Sequence, residues 1–395
     1  MNGITDRLLK ENTEAFYVFD SGKLKQRIKS LRNRLPDNIS LCYAVKANPF
    51  ISGEMRDDVE RFEICSPGEH EICKALHIDS RKMVISGVYK TPSVIEAMVS
   101  DGDFEGIFTA ESITQYELLC TLSEKYGRTL RVIPRLTNGS QFGMDETDLE
   151  EVIKGRTAHE KINIIGIQFF SGTQKTSLKK FRRELEALDR LLIRLKEQYS
   201  FEAEELEYGT GFPVSYFKGE EFDEDALLQG FSELIEGMQS RPEIILELGR
   251  SIAAFCGTYY THIVDMKQNK GQGYLLTDGG MHQLVYFGQY MAMKQPFMSV
   301  VGKENAVPAA AWNICGALCT MNDIMVKQAM LPDIEIGDVL CFENTGAYCM
   351  TEGISLLLSR ELPSVYILRE NGELYRVRST FETRQINMPE YERMY

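Results

Sequence analysis

One lysine ends an apolar, strand-like run in this chain. The run covers residues 41–50, LCYAVKANPF, and its lysine is Lys46. The chain has 44 basic residues against 58 acidic ones, so Lys46 does not belong to a basic surface. A lysine at a strand edge most often extends its ammonium group into water. A partly desolvated lysine has instead a lowered pKa and suits nucleophilic or Schiff-base chemistry. The residues that the fold places around Lys46 decide between these two interpretations.

Other charged or glycine-rich segments also follow short apolar runs. Glu63 and Arg135 end two such runs, and SGTQ, GTGFP and ELGR end three more. Glycines let backbone N–H groups approach an anion, although GTGFP alone also fits a plain tight turn. Glu247, at the end of an apolar run, requires a cation or a proton donor. Together these groups predict pyridoxal phosphate, with Lys46 bonded to it, the glycine loops on its phosphate and Glu247 on its ring nitrogen.

The elements that would position these residues alternate between strand and helix. Charged amphipathic stretches, of which 177–198 is the clearest, separate eight short runs rich in β-branched or aromatic residues. This alternation predicts parallel pairing, and eight units match a (β/α)₈ barrel of the TIM type, whose strand ends form one rim. An open doubly wound sheet is the alternative, and the sequence lacks the GxGxxG motif common in such sheets. The predicted strands are 40–45, 62–65, 83–86, 106–109, 130–136, 164–170, 205–208 and 244–248.

The sequence after Gly249 changes to β-rich segments separated by turn signals. Among them, ENGELYRVR predicts a hairpin that turns at Asn371-Gly372. We therefore expect an α/β barrel followed by an all-β domain that also takes the N-terminal strand. The predicted boundaries are 1–30 for the N-terminal strand and lead-in, 31–251 for the cofactor-binding barrel and 252–395 for the β domain.

Composition excludes several classes of partner. A net charge of −14 argues against nucleic acid and anionic membranes, and no apolar run approaches the length of a membrane span. Nine cysteines without a CxxC pair, and an N-terminus without the apolar core of a secretory signal, predict reduced thiols in the cytoplasm. The five histidines do not stand at metal-ligand spacing, so no histidine-rich metal site is expected.

Five motifs resemble, in the same order, those of the ornithine/diaminopimelate decarboxylase family, the fold-type III pyridoxal-phosphate enzymes. They are YAVKAN, GTGFP, ELGR, CGALCTMND and GAYCMT. The resemblance covers nearly the whole chain. It implies that Lys46 carries the cofactor, that Glu247 keeps its ring nitrogen protonated, and that Cys319 returns a proton to Cα after decarboxylation. In the family this cysteine enters the other subunit's active site, which implies a homodimer with shared sites.

The resemblance also implies a set of binding residues. Glu63 and Arg135 match family positions near the cofactor. The family's histidine that stacks on the ring is absent, and the segment GIQFFSGTQ offers Gln168 and Phe170 instead, of which Phe170 is expected to cover the ring. The residues expected to hold the phosphate are Thr173, Gly211, Gly249 and Arg250, with a further contact from Tyr348, which with Thr320 is also expected to bind substrate.

One departure from the family bears on the substrate. Members that act on free diamino acids usually carry an acidic residue directly after the catalytic cysteine, where this chain has Thr320. The strings SGTQ, QFGMDE, TDGGMHQL and LCT are similar to the branch acting on carrier-tethered glutamate and to decarboxylases of citryl-linked amino acids. We therefore expect a conjugated or carrier-tethered amino acid as substrate. The alternatives are a decarboxylase of free diaminopimelate or ornithine, an alanine-racemase-like enzyme, and a family member that binds a partner without catalysis.

Overall fold

The computed structural model describes residues 3–289 and 291–390 of the chain. These residues divide into two compact units. The barrel unit consists of Lys25–Val214 and Phe222–Ile252, and the β unit of Met1–Leu24, Ser215–Glu221 and Ala253–Tyr395.

Strands and helices alternate through the barrel unit, and strands dominate the β unit. The strands are β1 (Phe16–Asp20), β2 (Ile39–Ala44), β3 (Arg61–Ile64), β4 (Met83–Ile85), β5 (Ile107–Ala110), β6 (Leu130–Leu136), β7 (Ile162–Ile164), β8 (Gly166–Phe170), β9 (Glu205–Gly209), β10 (Glu243–Leu248), β11 (Gly257–Asn269), β12 (Gln272–Thr277), β13 (Met298–Val300), β14 (Ala310–Cys315), β15 (Ile324–Leu331), β16 (Val339–Glu343), β17 (Ser364–Leu368) and β18 (Leu374–Arg378). The helices are α1 (Gly3–Glu11), α2 (Ser21–Arg32), α3 (Pro67–Ala75), α4 (Pro92–Ser100), α5 (Ile113–Tyr126), α6 (Glu146–Gly155), α7 (Leu178–Tyr199), α8 (Glu224–Glu236), α9 (Arg250–Ala253) and α10 (Arg384–Asn387). None of these helices is long and apolar enough to cross a bilayer.

The parallel strands of the barrel unit form a closed barrel. Their order is β2, β3, β4, β5, β6, β8, β9 and β10, and β10 pairs with β2 to complete the circle. Buried side chains from several of these strands meet inside it, among them Cys42, Val84, Ile133 and Ile245. The predicted (β/α)₈ barrel is confirmed.

One predicted strand is divided in the structure. Residues 164–170 were expected to form a single strand, but β7 and β8 are separate and pair with different parts of β6. The chain passes very close to β9 here, because a Cβ on Gly166 would lie 2.1 Å from the carbonyl oxygen of Glu205. Only glycine fits such an approach, and the strand is interrupted beside it.

Amphipathic helices cover the barrel strands. In α7, Phe181, Leu185, Leu188 and Leu192 are buried, and charged residues occupy the positions between them. This spacing places the apolar residues on one face of the helix, as the sequence pattern predicts.

The β unit contains a mixed sheet that includes the N-terminal strand. Its strand order is β15, β14, β12, β11, β1, β17, β18, with β16 also paired to β11 and β13 to β16. Strand β1 runs antiparallel to β11 and parallel to β17. The predicted hairpin joins β17 to β18, and Gly372 adopts a φ of +81° in its turn. The all-β domain with its N-terminal strand is therefore confirmed.

Candidate active site

Lys46 lies at the carboxyl-end rim of the barrel, directly after β2. Its neighbours form a single turn of 3₁₀ helix, Val45–Ala47. Asn48 then caps the next turn by accepting a hydrogen bond from the backbone N–H of Phe50, and Pro49 occupies the first position of that turn. Proline and an asparagine cap favour the start of a new helical turn, so the local sequence fixes the place where the strand ends.

Two carboxyl groups meet the amine of Lys46. Its Nζ lies 2.5 Å from Oε2 of Glu63 on β3 and 3.7 Å from Oε1 of Glu247 on β10. The Sγ of Cys65 lies 3.1 Å from Oε1 of Glu63. The two glutamates are nearly inaccessible to solvent, whereas 40% of the lysine side chain is exposed. The amine of Lys46 can therefore be reached from solvent, while the two carboxyl groups inside the barrel hold it in position.

The pKa values of the two glutamates are shifted in opposite directions. Burial raises the pKa of Glu247, and the charge of Glu63 raises it further. Burial alone would also raise the pKa of Glu63, but the charge of Lys46 and hydrogen bonds from Lys46, Cys65 and Glu247 hold this pKa below its ordinary value. Of the two carboxyl groups, Glu63 is therefore the one that ionises more readily beside Lys46, and Glu247 is the one that more readily keeps a proton.

A further set of polar side chains lies inside the barrel below Glu247. The amide Nε2 of Gln168 lies 2.7 Å from Oε1 of Glu207 and 3.3 Å from Oε2 of Glu247. Arg61 donates two hydrogen bonds of 2.6 Å to Glu205 and lies 3.6 Å from Glu207. Burial raises the pKa of Glu207 to about 7. Carboxyl groups thus outnumber cations in this interior, and an added positive charge is stabilised there.

The glycine segments after β8 and β9 pack against each other at the rim. Gly211 has a φ of +60°, and a Cβ on it would lie 1.9 Å from the carbonyl oxygen of Gly172 and 3.0 Å from Cα of Thr173. The backbone N–H of Lys175 donates to the Gly211 carbonyl. Thr173 and Gly211 are therefore brought together, and only glycine permits this contact between backbones.

The ELGR segment ends the neighbouring strand at the same level. Glu247 is opposite Gly209 of β9 and Cys42 of β2, so Gly249 and Arg250 follow β10 as Gly211 follows β9. Arg250 begins α9 and is buried. The structure thus places Gly249 and Arg250 at the rim where an anion-binding loop was predicted.

Phe170 and Arg135 lie on neighbouring sides of this rim. Phe170 ends β8 opposite Gly209, and a Cβ on that glycine would lie 2.4 Å from the Phe170 ring. Arg135 on β6 donates to Glu111 over 3.2 Å, and its guanidinium lies 4.9 Å from the centre of the Phe142 ring. Its Nε is buried and has no hydrogen-bond partner among the described residues. Such a donor suits a ligand atom.

The remaining predicted residues belong to the β unit. Cys319 is exposed, and Thr320 follows it in the loop after β14. Asp323 fixes this loop, because its carboxylate accepts hydrogen bonds from the backbone N–H groups of Leu318 and Met281 at 2.7 and 2.8 Å. Burial raises the pKa of Asp323. The thiol of Cys319 is therefore exposed to solvent on a loop that hydrogen bonds to Asp323 hold in place.

Tyr348 has an unusual backbone conformation. Its φ is +64°, and its carbonyl accepts hydrogen bonds from the N–H groups of Thr351 and Glu352. A bulky residue in the left-handed region is strained, and such strain is common in functional segments.

The residues of the barrel unit fit pyridoxal phosphate. The raised pKa of Glu247 suits a carboxyl group that shares a proton with a pyridine nitrogen. At the rim, the Nε of Arg135, unpartnered among the described residues, is a donor for a ligand atom, and the glycine loops bring two backbone segments together. When bound, the cofactor supplies an aldehyde that captures an amine and a ring that accepts electrons as carbon dioxide leaves. Within the described ranges, no group of three or more His, Cys, Asp or Glu residues is arranged to hold a metal ion.

Comparison with known proteins decides the family. Residues 21–254 match the family described as "Pyridoxal-dependent decarboxylase, pyridoxal binding domain". The chain belongs to this family. It is a pyridoxal-phosphate-dependent amino-acid decarboxylase, so the predicted reaction class and cofactor are confirmed.

Three relatives of this decarboxylase align along most of its length. The L-glutamyl-[BtrI acyl-carrier protein] decarboxylase of Niallia circulans is 27% identical over 94% of this chain and 93% of that protein. The diaminopimelate decarboxylase of Aquifex aeolicus is 26% identical over 94% and 91%. The 2-[(L-alanin-3-ylcarbamoyl)methyl]-2-hydroxybutanedioate decarboxylase of Staphylococcus aureus is 24% identical over 90% and 94%.

A solved structure shows the same fold. The diaminopimelate decarboxylase of Helicobacter pylori, complexed with L-lysine, has a TM-score of 0.84 and 22% identity, covering 97% of this chain and 98% of that one.

Sequence reasoning missed part of the site of this decarboxylase. It assigned no role to Glu207, Glu111 or Cys65, and it considered Gln168 only beside Phe170 as a replacement for the stacked histidine. Glu207 alternates with Glu205 in the otherwise apolar ELEYG of β9, and two carboxyl groups in a buried strand were the available signal.

Proposed function

We propose that this decarboxylase acts on an amino acid whose distal end is conjugated to an acyl group or to a carrier protein. In this proposal Lys46 binds the cofactor covalently and Glu247 holds its ring nitrogen. The observation that supports these two roles is the position of the Lys46 amine, which lies 2.5 Å from Glu63 and 3.7 Å from Glu247. Because Glu63 neutralises the ammonium of Lys46, it also holds the lysine in one position until the cofactor binds.

The remaining residues take the roles that their positions support. Thr173, Gly211, Gly249 and Arg250 bind the phosphate at the rim, and Tyr348 is a further proposed contact. Phe170 covers the ring, and Arg135 donates its unpartnered Nε to the cofactor or substrate. Cys319 delivers a proton to Cα of the substrate after carbon dioxide has left.

Two observations on the β unit support a conjugated substrate. Thr320 offers no carboxylate to the distal ammonium of a free diamino acid. In addition, Cys319 lines a cavity of about 860 Å³ within the β unit. This volume is at the upper end for ligand pockets, so it has room for a substrate with a long distal arm.

The charges of this cavity favour an uncharged arm over a citrate. Three carboxyl groups, those of Glu14, Asp278 and Glu361, line it with one guanidinium, that of Arg360. Burial raises the pKa of Glu14, and the charges of Glu361 and Asp278 add to this. Burial and the charge of Arg360 lower the pKa of His282 to about 4, so this histidine is neutral. An arm with several carboxylates would be repelled here.

Carbon dioxide release tests the substrate class. The panel contains free ornithine, lysine, diaminopimelate and glutamate, with carrier-tethered glutamate and citryl-diaminopropionate. We expect release from the conjugates, fastest from the carrier-tethered amino acid. Release from a free diamino acid alone would refute the proposed substrate class while leaving the decarboxylase assignment intact.

A variant of Thr320 tests the missing carboxylate. Thr320→Glu should raise activity on free diamino acids, and Thr320→Gln, which has the same length without the charge, should not. If both variants leave that activity unchanged, shape rather than charge excludes free diamino acids.

We further propose a homodimer in which Cys319 completes the partner's site. Lys46→Ala chains should be inactive and Cys319→Ala chains impaired. Mixing them should then restore about a quarter of the wild-type activity through intact sites, since half of the dimers are mixed and each has one intact site. No recovery after subunit exchange would refute shared sites.

The nine cysteines are all free thiols, which supports a reducing compartment such as the cytoplasm.

A further inference from the structure

The side chain of Gln168 connects two carboxyl groups inside the barrel. It lies on β8, between Glu207 on β9 and Glu247 on β10, and it is fully buried, as is Glu207. Its Nε2 is the atom that approaches both carboxyl groups, at 2.7 and 3.3 Å. A buried amide in such a position is an unusual choice for a barrel core, because burying a polar group is unfavourable unless its hydrogen bonds are made.

The contact divides the two oxygens of Glu247 between different partners. Oε2 receives the amide of Gln168, and Oε1 lies 3.7 Å from Nζ of Lys46. An N–H donor at one oxygen fixes the plane of the carboxyl group and favours its ionised form. The other oxygen then remains available on the side of Lys46.

Glu207 in turn holds the amide. Its Oε1 accepts the shorter of the two hydrogen bonds from Gln168, and Arg61 lies 3.6 Å from its Oε2. Arg61 is itself fixed by its two hydrogen bonds to Glu205. The charged groups that act on Glu247 include Glu63, Lys46, Glu207 and Arg135. Glu207 is joined to Glu247 through the amide of Gln168, whereas Glu63 and Lys46 approach Glu247 from the rim.

We propose that Gln168 is a positioning residue that presents one oxygen of Glu247 to the ring nitrogen of the cofactor, with Glu207 holding the amide of Gln168 in place. This inference rests on the proposed role of Glu247. Gln168 touches neither substrate nor cofactor in this scheme and acts only through Glu247.

Cofactor affinity tests the scheme without any turnover. Apo-protein is titrated with pyridoxal phosphate and with its 1-deaza analogue, in which C–H replaces the ring nitrogen. The wild type should bind pyridoxal phosphate at least about tenfold more tightly than the analogue, because only the former makes the bond to Glu247. Gln168→Met has nearly the same shape without the donor, and it should reduce this preference to roughly threefold or less.

Two further variants separate positioning from folding. Gln229→Met removes a similar bond, from Gln229 to Glu233 on the surface of α8, and should leave the preference unchanged. Glu207→Leu removes the acceptor that holds the amide of Gln168, so it should also reduce the preference for pyridoxal phosphate over the analogue. Glu207→Gln keeps an acceptor and should retain this preference. A purely structural role for Gln168 would weaken the binding of both ligands alike.

The outcomes distinguish the inference from its premise. If the wild type does not prefer pyridoxal phosphate over the analogue, the role of Glu247 is refuted, and the inference with it. If the wild type shows the preference and Gln168→Met retains it, the inference alone is overturned. Should Gln168→Met fail to fold, the pair of Glu207 variants gives the same decision.

Discussion

Replacing Gly211 by alanine should separate the two glycine loops and weaken cofactor binding. The new Cβ would lie 1.9 Å from the carbonyl oxygen of Gly172, and side chains hardly approach other atoms more closely than 3.0 Å. The loops must therefore move apart by about 1.1 Å. The φ of +60° adds roughly 1–2 kcal/mol for an L side chain. Loss of one charge-assisted hydrogen bond to the phosphate would weaken affinity by about tenfold to a hundredfold.

A matched control isolates the contribution of the loop contact. Gly127, which ends α5, has a φ of +68°, and the nearest atom to its added Cβ is Nζ of Lys161 at 3.6 Å. Gly127→Ala therefore has the same backbone strain without the clash. Urea unfolding of the apo-proteins measures stability, and absorbance titration with pyridoxal phosphate measures affinity. Gly127→Ala should lower stability by about 1 kcal/mol and leave the affinity unchanged. Wild-type affinity in Gly211→Ala would refute the assignment of this loop to the phosphate.

Three further predictions concern single side chains. Lys46→Ala should abolish the borohydride-stable adduct with the cofactor, because this amine is the one at the rim beside Glu63 and Glu247. Lys90→Met, which removes a buried lysine elsewhere in the barrel unit, should retain the adduct. An adduct that persists in Lys46→Ala would refute the assignment. Cys319→Ala should slow product formation or divert the proton to the cofactor carbon. The control Cys315→Ala should change neither the rate nor the product ratio. If both stay unchanged in Cys319→Ala as well, the thiol of Cys319 is structural. Burial raises the pKa of Glu207 to about 7, so the native apo-protein keeps a proton that the unfolded chain loses, and stability falls as the pH rises from about 5 to 7. Glu207→Gln should flatten this fall by up to about 1.4 kcal/mol per pH unit in urea unfolding, and an equal slope in both proteins would contradict the raised pKa.

Much of the fold could be predicted because the sequence repeats one local pattern. Strands that are apolar throughout, separated by amphipathic helices such as α7, are typical of parallel barrels. The division between β7 and β8 could not be predicted in this way. The division lies beside the close approach of Gly166 to Glu205, and this distance arises only when the barrel closes.

The site was predictable where chemistry and strand ends coincide. Lys46, Glu63 and Glu247 each follow or end a strand, so barrel geometry brings them together. Gln168 and Glu207 lie one layer deeper, and a polar residue within a strand gives no sign of whether it points into the barrel or towards the helices. Their contact depends on the stagger of neighbouring strands, which the sequence pattern does not specify.

The place of β1 in its sheet has a consequence for synthesis on the ribosome. Phe16 pairs with Tyr260 of β11 and with Ser364 of β17, so this interior strand of the sheet is translated long before either neighbour. At ordinary translation rates its last neighbour follows on the order of tens of seconds later. Meanwhile FYVFD emerges as an apolar segment with two unpaired edges, while the strands of the barrel can already pair with one another. The nascent chain must therefore keep an aggregation-prone strand unpaired, and chaperone demand should depend on β1 more than on any strand of the barrel.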